Sequence, residues 1–198
     1  MQVKFNPSLR LIALIAGISL LAGMNSPAQV HRIGAGFSFS SGADFNYGET
    51  GNPGLFVKTW LALNKASTLH VVPSITAYNR YKLSTGYSIL TNNMFQGDVN
   101  FQFTFFREGT VQAVAFGGGN VIYLISDYEP LVVTGNETIT DESEFALGGN
   151  LGAGLELRMA PRWDFNIDGK YVFSKYSQFI ISVQGVYYFK SRRRAYRR

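Results

Sequence analysis

A histidine and a serine on one predicted strand are the first candidates for chemistry. His70 and Ser74 stand four residues apart on the same face, and the only other histidine is His31. Four strand residues span about 13 Å, which is too far for direct proton transfer between the two side chains. Two histidines in a chain without cysteine also make a poor metal site. We therefore expect no enzyme, no metal site and no cofactor.

A second group of candidates consists of charged residues on the polar face of predicted strands. These are Arg32, Lys58, Asp98, Glu156, Arg158, Asp168 and Lys170. If that face is enclosed, the charges must be paired. Such a set could conduct protons or ions, or it could be a static ion-pair network that fills the interior. We favour the network, because a narrow barrel has room for little besides side chains.

The segment from Asp127 to Glu144 carries six acidic residues and no basic one. The six are Asp127, Glu129, Glu137, Asp141, Glu142 and Glu144. Its middle, Leu131 to Thr140, has a strand-like pattern around Gly135-Asn136, which predicts a protruding hairpin. Such a loop could bind a protein partner, or divalent cations through its carboxylates. The alternative is a solvated loop whose charge only keeps it soluble.

The chain ends in a basic tail, residues 191–198. Its arginines are Arg192, Arg193, Arg194, Arg197 and Arg198. The net charge of +5 depends on this tail, since six positive residues lie in 190–198 and two more, Lys4 and Arg10, lie at the start. The charge therefore does not indicate a nucleic-acid-binding domain. The tail could contact anionic lipid headgroups or another anionic envelope component, or it could have no partner.

Strands must position these residues, because apolar side chains alternate with polar ones along most of the chain. The clearest segment is 95–105, where one face is almost entirely Phe and Val and the other is Gln, Asp, Asn and Thr. Eight strands are predicted, at 33–40, 55–63, 69–78, 95–105, 111–125, 145–158, 165–174 and 179–190. Pro73 is unfavourable in the third strand, because proline cannot donate a hydrogen bond to the ladder. Gly117-Gly118-Gly119 suggests a bulge or bend in the fifth strand.

The links between these strands alternate in length. Short links at 64–67, 107–110 and 160–164 alternate with long ones at 41–54, 79–93 and 126–144, although the last link, 175–177, is short. Charged residues make up only 16% of the chain and aromatic residues 15%. This organisation predicts an all-β fold, an eight-stranded antiparallel up-and-down transmembrane β-barrel.

Periodicity alone leaves open which face points outward. A soluble, ligand-carrying barrel such as a lipocalin would enclose its apolar face. Here the polar face is rich in glycine, which suits a narrow lumen, and the apolar face carries aromatic residues near both strand ends. Aromatic girdles are typical of transmembrane barrels, so we expect the apolar face to contact lipid.

Residues 1–28 are predicted to be a signal peptide. Lys4 and Arg10 precede an apolar run of 14 residues, Leu11 to Met24, and small residues follow at 26–28. The run is shorter than the roughly 20 residues of a spanning helix. The expected mature chain is a barrel at 29–190 followed by the tail.

This organisation resembles the small outer-membrane β-barrels of Gram-negative bacteria, of the OmpX and OmpA-transmembrane-domain type. The last predicted strand, ending Gln184-Gly185-Val186-Tyr187-Tyr188-Phe189, is similar to the aromatic-ending signal by which such barrels are inserted, although nine residues follow it here. The resemblance implies a monomer in outer-membrane lipid, with a structural or surface-interaction role through its extracellular loops. The alternatives are a narrow channel, a subunit of an envelope secretion or assembly complex, or a soluble periplasmic carrier.

Overall fold

The computed structural model describes residues 30–41, 51–64, 66–79, 81–84, 88–130 and 142–189. The predicted signal peptide and basic tail lie outside these ranges. The strands are β1 (Val30–Ser41), β2 (Asn52–Ala62), β3 (Leu69–Tyr78), β4 (Tyr81–Ser84), β5 (Ser88–Glu108), β6 (Val111–Pro130), β7 (Glu142–Ala160), β8 (Trp163–Phe173) and β9 (Gln178–Tyr188). None of the described residues forms a helix long and apolar enough to span a membrane.

Eight of these strands close into an antiparallel barrel. Each pairs with its neighbours in sequence, the first strand β1 pairs with the last strand β9, and β3 pairs with β5 to complete the ring. The short strand β4 lies outside the ring and pairs only with the start of β5. The prediction of an eight-stranded antiparallel barrel is therefore confirmed.

The apolar face points outward and the polar face lines the lumen. Large hydrophobic side chains are exposed around the whole barrel, from 37% at Ile33 to 72% at Phe37 and 80% at Leu147. The alternate positions are buried and include Arg32 and Asp98. A soluble carrier would need the opposite arrangement, so the interpretation as a barrel with an apolar ligand cavity is wrong.

The two ends of the barrel differ. At one end, here called the short-turn end, β2–β3, β5–β6 and β7–β8 are joined by tight connections. At the other, the long-loop end, β5, β6 and β7 reach 21, 20 and 19 residues, whereas the other strands of the ring have 10 to 12. Residues 88–93 pair with 125–130, and β4 adds a third strand. Parts of the predicted loops at 79–93 and 126–144 are therefore strand, and they form a sheet that extends past the barrel.

Two expected irregularities have different outcomes. The ladder between β2 and β3 has no pair at Pro73, where the backbone lacks a donor, while the β3–β5 ladder continues through Pro73↔Val99. A bulge or bend was expected at Gly117 to Gly119, and no bulge forms there, because the register of β6 with both neighbours is continuous. The glycines instead allow close approach, since a Cβ on Gly118 would overlap the carbonyl oxygen of Val99.

Candidate functional site

Three ion pairs described within the lumen each cross it. Arg32 on β1 binds Glu156 on β7, Lys58 on β2 binds Asp168 on β8, and Lys170 on β8 binds Asp98 on β5, all with N–O distances of 2.7 Å. Partners lie three strands apart around the eight-stranded ring. The pairs therefore brace opposite walls of the barrel rather than neighbouring strands.

Asp98 accepts hydrogen bonds from four side chains of the lumen. Its Oδ2 accepts bonds from Lys170 Nζ at 2.7 Å and Ser74 Oγ at 3.1 Å. Its Oδ1 accepts bonds from Gln96 at 2.8 Å and Asn150 at 3.2 Å. A carboxylate enclosed in this way has its charge compensated on both oxygens, as burial requires.

The Arg32–Glu156 pair is held within an aromatic setting at the short-turn end. The Arg32 guanidinium donates to Tyr188 Oη at 2.9 Å and lies 4.4 Å from the centre of the Trp60 ring. Gln102 links the two sides, because it accepts from Trp60 Nε1 and donates to Glu156 Oε1, both at 2.9 Å. Delocalised charge stacked on an aromatic face suits arginine better than lysine.

Other predicted lumen charges also have defined positions. Asp168 Oδ2 accepts from Gln184 at 2.9 Å in addition to Lys58. Arg158 lies opposite Asp164 in the β7–β8 register. Asp164 is buried and accepts from Tyr188 Oη at 2.6 Å. Asp164 was not among the predicted lumen charges because it fell in a predicted link, although it lies on the same face of the strand as Asp168.

Clusters of buried apolar residues lie toward both ends of the lumen. At the long-loop end the cluster consists of Tyr78, Met94, Ile122, Leu124, Ala146, Val172, Tyr176 and Ile180. At the short-turn end it consists of Trp60, Val72, Val186 and Tyr188. Between them lies a cavity of about 30 Å³ lined by residues that include Lys58, Asp168 and Lys170. That volume suits one or two water molecules rather than a continuous water column.

The β8–β9 turn at the long-loop end is held to β7 by one carboxylate. Lys175 Nζ and Tyr176 Oη donate to the two oxygens of Glu144 at 2.6 and 2.7 Å. These hydrogen bonds, from Lys175 first, lower the pKa of Glu144. Burial, with the bond to Glu144, raises the pKa of Tyr176 to about 12. The Tyr176 ring belongs to the long-loop cluster, so this contact holds the cover of the lumen in place.

The acidic and basic surface predictions are only partly covered by the described residues. Asp127 is exposed on the extended sheet, and Glu144 has the contacts above. Glu129 is the next-to-last residue of β6 and Glu142 is the first residue of β7. Their side chains lie outside the described part of the structure. Glu137, Asp141 and the five tail arginines, Arg192, Arg193, Arg194, Arg197 and Arg198, lie outside the described residues.

His70 and Ser74 have separate partners. Ser74 donates to Asp98, and the His70 ring stacks on the His31 ring with centroids 5.0 Å apart. The described residues contain no group of three or more His, Cys, Asp or Glu side chains that could hold a metal ion. The arrangement therefore pairs neither residue as nucleophile and base.

Comparisons with known proteins identify the type of barrel. No protein-family model matches the sequence, and no curated protein matches it either. Neisserial surface protein A (NspA) superposes with a TM-score of 0.61 at 13% identity, covering 82% of this chain and 99% of that chain. Ail, the attachment invasion locus protein of Yersinia pestis, gives 0.55 at 14%, covering 81% and 99%. The N-terminal β-barrel domain of Pseudomonas aeruginosa OprF gives 0.55 at 7%, covering 81% and 98%.

Identities this low concern the fold. The chain has the fold of the small outer-membrane β-barrels, with an apolar exterior and an ion-paired lumen. The predicted resemblance to the OmpX and OmpA-transmembrane-domain type is thereby confirmed.

Proposed function

We propose that this protein is an integral outer-membrane β-barrel of a Gram-negative bacterium, with a non-enzymatic structural or surface-interaction role through its extracellular loops. The observation that carries the proposal is the distribution of polarity. Large apolar side chains are exposed by 37 to 80% on the outside, while charged residues such as Asp98 and Glu156 are buried inside. A continuous apolar surface of this extent is a liability in water and is what a bilayer requires.

The lumen supports a closed barrel rather than a channel or an enzyme. Buried apolar clusters lie toward both ends of the lumen, and apolar constrictions oppose ion passage. The candidate nucleophile Ser74 is bound to Asp98 instead of a histidine. Both features favour a function at the surfaces that extend beyond the membrane.

The extended sheet of β4, β5 and β6 is the proposed interaction surface. Its pairs run from Ile125↔Asn93 to Pro130↔Ser88, beyond the stacked Tyr123 and Phe145 rings of the exterior. An edge of such a sheet could add a partner strand. Ail has been solved in complex with the heparin analogue sucrose octasulfate. By contrast, the acidic residues from Asp127 to Glu144 favour a basic partner or a bridging divalent cation here.

Cell fractionation tests the membrane assignment. We expect the mature chain in the outer-membrane fraction, with heat-modifiable migration on a gel and no steady conductance in planar bilayers. A freely soluble periplasmic chain would overturn the proposal, and a reproducible single-channel conductance would replace the closed barrel with a channel.

Charge neutralisation tests the surface role. The variant Asp127→Asn, Glu129→Gln, Glu137→Gln, Asp141→Asn and Glu142→Gln removes the acids but keeps Glu144, which holds the β8–β9 turn. We expect cells that carry it to lose adhesion to polylysine-coated or Ca²⁺-bridged anionic surfaces, while outer-membrane yield stays unchanged. Unchanged adhesion would leave a purely structural role.

Deletion of residues 192–198 tests the tail. The proposal that the tail contacts anionic envelope components predicts weaker envelope integrity or loss of co-purifying partners in the truncated chain. Unchanged assembly, envelope integrity and co-purifying partners would contradict this proposal and leave the tail without a partner.

A further inference from the structure

An arginine and three aromatic residues lie together on the outside of the barrel at its short-turn end. Arg162 is in the β7–β8 turn, Trp163 begins β8, and Tyr187 and Phe189 lie at the end of β9. Trp163 and Tyr187 face each other in the β8–β9 register. These four residues are referred to below as the Arg162 cluster.

Two hydrogen bonds fix Arg162 against β9. Its carbonyl oxygen accepts from the Tyr188 amide at 2.9 Å, and its guanidinium Nη1 donates to Tyr187 Oη at 3.2 Å. The Tyr187 ring is in turn flanked by Trp163, with centroids 5.1 Å apart, and by Phe189 at 5.9 Å and a right angle. The cation is thus held by backbone and side chain against a preformed aromatic surface.

The Arg162 cluster is open to its surroundings. Trp163 is 53% exposed and Phe189 50%. The cations of the described ion pairs are Arg32, Lys58, Lys170 and Lys175, and none of these pairs includes Arg162. Most of its N–H donors therefore remain available to an external acceptor, and planar guanidinium donors match the geometry of phosphate oxygens.

The position of the Arg162 cluster defines the kind of acceptor. It lies where the apolar exterior ends and the tight turn Pro161–Arg162 begins, which is headgroup depth for a barrel spanning a bilayer. Tyrosine and tryptophan prefer that depth because one part of each side chain is apolar and the other polar. We infer that the Arg162 cluster binds the phosphate of an anionic phospholipid in the leaflet facing the short turns. This inference rests on the proposed membrane location.

A second exposed arginine provides a matched control. Arg107 ends β5 at the same end of the barrel, beside the exposed Phe105 and Phe106. β5 is three strands away from β8 around the ring. No aromatic hydroxyl contact is described for Arg107, whereas Arg162 has Tyr187. Arg162→Gln and Arg107→Gln remove equal charge from the same end of the barrel, and Tyr187→Phe keeps the charge beside Trp163 while removing the hydroxyl that orients it.

Trp163 itself supplies the measurement. The only other tryptophan, Trp60, is 1% exposed inside the lumen and separated from lipid by the barrel wall. The full chain is refolded into phosphatidylcholine bilayers containing either brominated phosphatidylglycerol or brominated phosphatidylcholine. Quenching of tryptophan emission then gives the relative affinity of the Trp163 surface for the two headgroups, and Trp163→Phe gives the Trp60 background. The basic tail is present in every variant, so its contribution cancels.

We expect wild type and Arg107→Gln to prefer phosphatidylglycerol, and Arg162→Gln to lose that preference by about fivefold, as one interfacial charge predicts. Tyr187→Phe, which removes only the hydroxyl that holds the guanidinium, should weaken the preference partially. Equal losses in Arg162→Gln and Arg107→Gln would overturn the inference in favour of general electrostatic attraction.

The same experiment separates this inference from the proposed function. Equal quenching by both brominated lipids would place Trp163 in the bilayer without headgroup selection, and would overturn the site alone. Absence of quenching by either lipid would mean that the exterior does not contact the bilayer, and would overturn both proposals.

Discussion

At the scale of single residues, the lumen depends on charges that cannot lose their partners. Lys170 and Asp98 have side chains 9% and 0% exposed and form an ion pair at 2.7 Å. The desolvation cost of each charge is compensated only while the other is present. The other three acceptor contacts of Asp98 are neutral hydrogen bonds and cannot replace the ammonium.

Lys170→Met should therefore lower the free energy of unfolding by about 3–5 kcal/mol. The measurement is equilibrium urea unfolding of the chain in lipid vesicles. Lys175→Met is the control, because the Lys175–Glu144 pair is 63% and 40% exposed and such pairs contribute little. Similar losses in the two variants would contradict a role for burial, and Asp98→Asn combined with Lys170→Met should recover part of the stability.

The contact between Glu144 and the β8–β9 turn should make stability depend on acid pH. The pKa of Glu144 lies below its usual value of 4.5. A carboxyl group with a lowered folded pKa contributes stability that is present above the unfolded pKa and is lost as pH falls through the folded pKa. In urea unfolding from pH 6 to pH 3, wild type should lose stability relative to Glu144→Gln. Parallel curves would contradict this.

Tyr176 should act at the opposite extreme of pH. Its pKa is raised from 10.0 to about 12, so between these values the unfolded chain loses this proton before the folded one does. Stability should therefore fall as pH rises from 10 to 12. Tyr176→Phe keeps the ring in the apolar cluster and should lack this component of the alkaline loss, as measured by thermal unfolding.

The sequence predicts which charged side chains face the lumen but not which of them form ion pairs. Alternation fixes the parity of Arg32, Lys58 and Asp168, because side chains of a strand change face at every residue. The pairs are 72 to 124 residues apart in sequence, so they depend on barrel closure and strand register. Asp164 was missed because the start of this strand was placed two residues too late.

At the scale of elements, glycines on the lumen side set how closely strands approach. A Cβ on Gly118 would overlap the Val99 carbonyl oxygen and lie 2.8 Å from Asn100 Cα, whereas on Gly119 the nearest atom would be 3.9 Å away. Gly118→Ala should thus lower the free energy of unfolding by about 1–3 kcal/mol. The adjacent Gly119→Ala should have little effect in the same urea assay. Equal effects would indicate a general β-propensity difference instead of local crowding.

The ring strands follow from the sequence, and their extension does not. Residues 95–105 alternate cleanly because one face lies on the apolar exterior and the other lines the lumen. The residues beyond, Ser88 to Asn93 and Asp127 to Pro130, lie past the closed ring and lack such alternation. Their strand structure comes from backbone pairing across the β5–β6 ladder, which composition does not encode.

At the scale of the whole molecule, a charged substitution on the exterior should destabilise the barrel only where the side chain would lie in lipid. Leu151 is 64% exposed near the middle of β7. Leu151→Arg should reduce the free energy of folding into vesicles by about 2–4 kcal/mol. Ser143→Arg, on the same strand and face beyond Phe145, should be nearly neutral. If both were neutral, water and not lipid would surround the barrel.

The pairing of β1 with β9 brings the first and last strands of the barrel together. Just beyond β9, the Phe189 amide donates to the His31 carbonyl oxygen at 3.1 Å. The barrel is thus geometrically a ring cut at one seam, and a short linker across that seam would allow the chain to be circularly permuted. A permuted chain that begins at the Gly109–Thr110 turn would keep every strand pair, but its last strand would be β5 instead of β9. The order of the strands along the chain can therefore be changed without changing their order around the barrel.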